Sequence, residues 1–173
     1  GEGRGVELPN VLLMAEKTIS GTPMEVETVW QANLQNAGAW SFSGCDGTDY
    51  SAALDGERAA LTVLQGAGAP WQYMEASLMT DMEDAYLSIT VESVTGGGRI
   101  AVKVNNGRDA DICLTETGLP GTYTFKLGEA TGWSGTREMN LRIFAVGMGA
   151  EVVFSDLKVQ RGARIYADAK SYS

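Results

Sequence analysis

The sequence predicts an all-β domain, an antiparallel two-sheet sandwich, on three observations. Apolar and polar residues alternate with period 2 in one run after another from about residue 58 onward. Clusters of Gly, Asn and Asp separate those runs at hairpin spacing. Glycine is over-used, with 22 residues against four prolines, and few long helical patterns accompany it.

The runs justify themselves in chain order. In "RAALTVL", Ala59, Leu61 and Val63 share a face. "WQYMEASLM" places Met74, Ala76 and Leu78 on one side and Tyr73, Glu75 and Ser77 on the other. "YLSITVESV" turns Leu87, Ile89 and Val91 one way and Ser88, Thr90 and Glu92 the other. "RIAVKVN" sets Ile100, Val102 and Val104 against Arg99, Lys103 and Asn105. Shorter runs at 110–115 and 122–127 precede longer ones at 138–146 and 150–160. "TGGGR", "NNGRD" and "GLPG" supply turn chemistry between them. In the last run the phase breaks between Val152/Phe154 and Leu157/Val159, which predicts a bulge near Ser155–Asp156.

The N-terminal third carries mixed signals. "NVLLMAEKTI" suits a strand or a short helix, "EVETVWQANLQNAGAW" has a helical stretch through Trp30 and Leu34, and "WSFSG" reads as a strand. The expected organisation is a linker at 1–8, one sandwich of about eight or nine strands over 9–162, and a tail or linker at 163–173. At 173 residues the chain is long enough to bury a core without cross-links. Cys45 and Cys113 match no CxxC pattern and read as free thiols, a disulfide being the alternative.

Composition excludes several functions. The net charge is −9, from 22 acidic and 13 basic residues, and no Lys/Arg cluster offsets it, so nucleic acid and anionic membrane surfaces are poor partners. There is no histidine, which removes Ser-His-Asp and Cys-His nucleophile systems and most zinc sites. Carboxylate pairs such as Asp109 with Asp111 or Glu129 with Glu138 are too ordinary in an acidic chain to indicate glycosidic cleavage. The chain is not expected to be an enzyme by itself.

What remains is a ligand site. Trp40, Trp71 and Trp133 sit where loops meet strands, Trp71 shares the start of its run with Tyr73, and Trp133 stands among glycines and a serine in "GEATGWSGT". The C–H face of a sugar ring stacks on such rings, although a junction tryptophan equally serves to cap a core. Asn105, Arg108 and Asp109 in "NNGRDAD", with Arg137, offer the paired donors and acceptors that sugar hydroxyls need. Trp133 is expected to be partly exposed and to stack on a sugar ring, with the 105–111 turn or Arg137 supplying hydrogen bonds. Glu16, Asp46, Asp49, Asp55 and Asp156 supply hard oxygen ligands suited to calcium, at no recognisable spacing.

From Trp71 to Gly162 the chain resembles the galactose-binding-like jelly-roll modules appended to large bacterial glycoside hydrolases. The resemblance lies in the order "DAYLSITVESV", "RIAVKVNNG", "GTYTFKLGEATGWSG", "MNLRIFAVG" and "VVFSDLKVQRG", preceded by "ALDGERAALTV", and does not extend to the first 36 residues. It implies a non-catalytic carbohydrate-binding module that targets an attached extracellular hydrolase to polysaccharide or glycan. It also implies a structural calcium, with Asp156 as a ligand and Glu16 or Asp55 as partners. The alternative is an accessory domain that packs on a neighbouring catalytic domain and binds nothing small.

Overall fold

A computed structural model describes residues 26–162. The stretch "NVLLMAEKTI", Glu16, and the proposed linker and tail lie outside these residues. Eleven strands, a single 3-10 turn and one short helix make up the described chain. In order they are β1 Glu27–Gln31, the 3-10 turn Ala37–Ala39, β2 Ser41–Gly44, β3 Tyr50–Leu54, β4 Arg58–Val63, β5 Trp71–Asp81 and β6 Ala85–Thr95. There follow β7 Arg99–Asn105, β8 Ile112–Thr117, β9 Gly121–Lys126, α1 Leu127–Thr131, β10 Thr136–Val146 and β11 Glu151–Arg161. Among the described residues no helix is long and apolar enough to cross a membrane.

The strands pair antiparallel into two sheets. One runs β9-β6-β11-β4-β3, with β1 adding to the far half of β11, and the other runs β2-β5-β10-β7-β8. The predicted sandwich is therefore the fold. Alternation does the sorting, because successive side chains of a strand point to opposite faces. Leu61, Met74, Leu87, Ile89, Ile100, Leu141, Ile143, Phe154 and Leu157 are fully buried between the sheets. At ~1.5–3 kcal/mol for each large apolar side chain removed from water, this shared layer dominates stability.

The predicted bulge lies on β11, where the register against β6 shifts between Ser155 and Lys158 and Asp156 takes a left-handed φ of 50°. It turns Leu157 and Val159 back into the core after Phe154. Two expectations need correction. The helical stretch through Trp30 is a strand, because pairing with Lys158–Arg161 satisfies its backbone and outweighs local propensity. Tyr50–Leu54 is a strand that no reading of the sequence had separated, since "SAAL" is too short and too small for a clear alternation.

Two further features bear on the site. Gly44 has φ +141°, and a Cβ there would meet the Trp71 carbonyl oxygen at 2.6 Å, so only glycine lets β2 close on the start of β5. Both cysteines are free, Cys45 buried and Cys113 exposed. Burial pushes the Cys45 thiol up, opposed by a backbone hydrogen bond and assisted by the charges of Asp49 and Asp46.

Candidate functional site

The outer face of the five-stranded sheet is built from the residues that alternate against its core positions. On β5 these are Trp71, Tyr73, Glu75, Ser77 and Met79, since Gln72, Met74, Leu78 and Thr80 are buried. On β10 they are Glu138, Asn140, Arg142, Phe144 and Val146, and on β7 Arg99, Ala101, Lys103 and Asn105. Register then sets the rows. Tyr73 pairs with Phe144 and Phe144 with Ala101; Glu75 pairs with Arg142 and Arg142 with Lys103; Ser77 pairs with Asn140 and Asn140 with Asn105.

One end of the face is aromatic. The Trp71 and Tyr73 rings are nearly parallel, 13° apart, with centroids at 6.1 Å. That separation exceeds the ~3.5–4 Å of carbon contact, so the rings are offset and present a stepped surface. Phe144 lies beneath as a wedge, 5.9 Å from Trp71 and 5.0 Å from Tyr73. Phe144 is 7% exposed and Trp71 38%, so Trp71 is the ring this face offers to solvent. Lys103 holds its ammonium 4.6 Å from the Phe144 centroid, and the Arg142 guanidinium lies 4.5 Å from that of Tyr73.

The other end is a polar network. Ser77 Oγ donates to Asn140 Oδ1 at 2.7 Å, Asn140 Nδ2 to Asn105 Oδ1 at 2.9 Å, and Asn105 Nδ2 to Asp111 Oδ1 at 2.8 Å. Asp111 in turn lies 3.4 Å from Arg142 Nη1, and Arg142 Nε donates to Glu75 Oε2 at 2.7 Å. Burial opposes the charge on Arg142, but the hydrogen bond to Glu75 and the charge of Asp111 outweigh it and raise its pKa. The network fixes side chains that would otherwise move freely, which lowers the entropy lost when a ligand binds. It keeps unused capacity: Glu75 retains Oε1, and Lys103 has a ring but no hydrogen-bond acceptor as partner among the described residues.

Of the predicted ligand residues, the structure brings Trp71, Tyr73 and Asn105 together on this face. Arg108 and Asp109 sit in the turn beyond Asn105, whose form is set by Asn106: its Oδ1 accepts from both backbone N–H groups at 2.9 Å, and its Nδ2 donates to Asp109 Oδ2. Trp133 and Arg137 form a separate pair, with the guanidinium 5.4 Å from the ring. Trp133 is half-buried and packs against the core. Arg137 lies opposite the buried Thr80, on the core side of β10, so the pair closes the end of the sandwich next to α1. Trp133 is thus partly exposed, as its small polar neighbours suggested, while other elements supply the apolar surface that the rest of the ring lies on. Trp40 is buried, its Nε1 donating to the Asn33 carbonyl at 2.7 Å.

The sequence reasoning had not marked Phe144, Arg142, Lys103, Glu75 and Asn140 as site residues. The signal was available in Phe144, an aromatic at an outward position of a strand whose other outward residues are mostly polar.

Among the described residues the metal candidates lie apart. Asp55 Oδ1 accepts from the backbone of Glu57 and Arg58 in the β3–β4 turn, and these bonds hold its carboxyl below the usual range. Asp156 is paired with Lys158 at 3.1 Å. Among the described residues no three His, Cys, Asp or Glu side chains come together. Glu16, the other expected partner of Asp156, lies outside the described residues.

No family model matches the chain, and no curated protein matches it. Several solved structures are similar. A xylan-binding module of carbohydrate-binding family 15 superposes with a TM-score of 0.51 at 14% identity, over 82% of this chain and 98% of that one. A family 4 carbohydrate-binding module gives 0.45 at 16% identity, covering 75% and 92% of the two chains. A family 61 module in complex with β-1,4-galactotriose gives 0.45 at 17%, covering 70% and 88%. At these identities the likeness is one of fold alone, a β-sandwich shared with the xylan-binding module.

Proposed function

We propose that this chain is a non-catalytic carbohydrate-binding module whose binding surface is the outer face of the five-stranded sheet. The observation that carries this reading is the exposed Trp71, stepped against Tyr73 and wedged by Phe144, directly beside a hydrogen-bonded Arg–carboxylate–Asn network. A solvent-exposed indole on a strand otherwise needs an explanation, and a pyranose ring stacked on it supplies one. Arg142 with Glu75 sets donors beside acceptors, the pairing that sugar hydroxyls can use. The fold shared with a xylan-binding module supports the reading. On this reading the module acts outside the cell and holds an attached glycoside hydrolase against its polysaccharide.

The test is affinity electrophoresis of the chain through gels containing soluble polysaccharides. Retardation by at least one of them is expected, with Trp71→Ala weakening it at least about thirtyfold, or ~2 kcal/mol, as for an aromatic anchor. Stability should change by less than about 1 kcal/mol, because the ring is not part of the core. Retardation that survives in Trp71→Ala, Tyr73→Ala and their double variant would place the site elsewhere. If nothing retards the chain, the accessory-domain reading replaces this one.

A further inference from the structure

This inference rests on the reading of the outer face as a glycan site and concerns the class of glycan. We propose that the face takes uncharged glycans and rejects acidic ones. Its cations are already engaged. Arg142 is held by Glu75 at 2.7 Å and Asp111 at 3.4 Å, with the three side chains 27%, 21% and 22% exposed. Arg99 is held by Glu116 at 2.7 Å. Lys103 is the cation of this face with no carboxylate partner among the described residues, and its ammonium rests on Phe144. Glu138 adds a further carboxylate on β10.

A polyanion carries a carboxylate or sulfate on unit after unit. On this face it would meet Glu75, Asp111, Glu116 and Glu138, and the nearby described cations without a carboxylate partner are Lys103 and, in the turn beyond Asn105, Arg108. Recruiting Arg142 would strip a half-buried Glu75 and Asp111 of their counter-charge, and an uncompensated charge in such a place costs more than a new pair returns. The net charge of −9 adds long-range repulsion. Hydroxyls meet the opposite situation. The spare lone pairs of Glu75 and Asp111 accept hydroxyl protons, and the spare N–H groups of Arg142 and Lys103 donate to hydroxyl oxygens, with no ion pair broken.

The full 173-residue chain is run through gels holding either neutral polymers (mixed-linkage β-glucan, unsubstituted xylan, β-1,4-galactan) or acidic ones (polygalacturonate, alginate, a sulfated galactan). Retardation by a neutral polymer and by no acidic one is expected. The affinity should move less than about twofold between about 50 and about 500 mM sodium chloride, since no charge on the ligand is screened. Retardation by an acidic polymer that falls with salt and is lost in both Lys103→Gln and Trp71→Ala would overturn this inference and leave the glycan site standing. Acidic retardation that survives Trp71→Ala would overturn both, as would retardation by neither panel.

Discussion

The two outer faces of the sandwich obey the same alternation and carry different chemistry. Across β9, β6, β11 and β4 the outward residues include many short ones, Thr122 and Thr124, Ser88 and Thr90, Ser155, and Ala60 and Thr62, beside the charged Arg58, Glu92, Lys126, Glu151 and Lys158. They satisfy one another locally, Thr90 with Thr122 at 3.1 Å and Thr62 with Glu151 at 3.1 Å, while Glu92 accepts from Ser155 at 2.6 Å and from Arg58 at 2.7 Å. Tyr86, the aromatic of that face, is 3% exposed. Across β5, β10 and β7 the outward residues include the rings of Trp71, Tyr73 and Phe144 and the long cations Arg142 and Lys103, with Glu75, Ser77, Asn140 and Asn105 beside them. A face that only has to be wetted needs small polar and β-branched residues. A large ring left in water on an outer face is unfavourable, and an occupant that covers it removes that exposure.

The largest effect that sharpens this contrast separates the two tryptophans flanking the same sheet. Trp133→Ala should cost about 2 kcal/mol of stability, below the ~3–5 kcal/mol of a fully buried aromatic, and leave glycan affinity unchanged. Chemical denaturation and affinity electrophoresis on the one variant check both halves. A stable protein with lost binding would return the site to the "GEATGWSGT" loop and break the comparison.

Next comes acid, which acts on the wetted side. The Ser155 hydroxyl, and after it Arg58, hold Glu92 below the usual carboxylate range, and the backbone N–H groups of Arg58 and Glu57 do the same for Asp55. A carboxyl whose folded pKa is depressed contributes stability above its unfolded value, about 4, and loses it as pH falls through the folded value. The melting temperature should hold from pH 7 to about 5 and drop below about 4. Glu92→Gln should flatten that drop without touching glycan binding, and a binding defect in this variant would show the faces to be coupled.

The smallest effect is a footprint. Cys113 is exposed and paired in register with Lys103, whereas Cys45 is buried with a raised pKa. Iodoacetamide should therefore label Cys113 in the native protein and Cys45 only on unfolding. A bound glycan should slow labelling of Cys113 about two- to fivefold, and unchanged labelling would move the ligand away from β7 and β8.

The strands, the turns and the bulge at Ser155–Asp156 were legible because each is a local property. Period-2 alternation, Gly and Asn in the turns and a slip of phase all lie within a few residues of the chain. So was the outward parity of Tyr73, Glu75 and Ser77, and the unpaired state of the two cysteines. The pairing of strands was not legible, because register joins residues such as Tyr73 and Phe144 that lie far apart in sequence. Only that register put Trp71, Tyr73 and Phe144 in one cluster, carried Asp111 to Arg142, and gave Trp133 a core to lie on. A side chain's chemistry and its face follow from its own strand. Whether it meets solvent, a partner or the core depends on which strand lies beside it, and that is decided when two sheets bury one common layer.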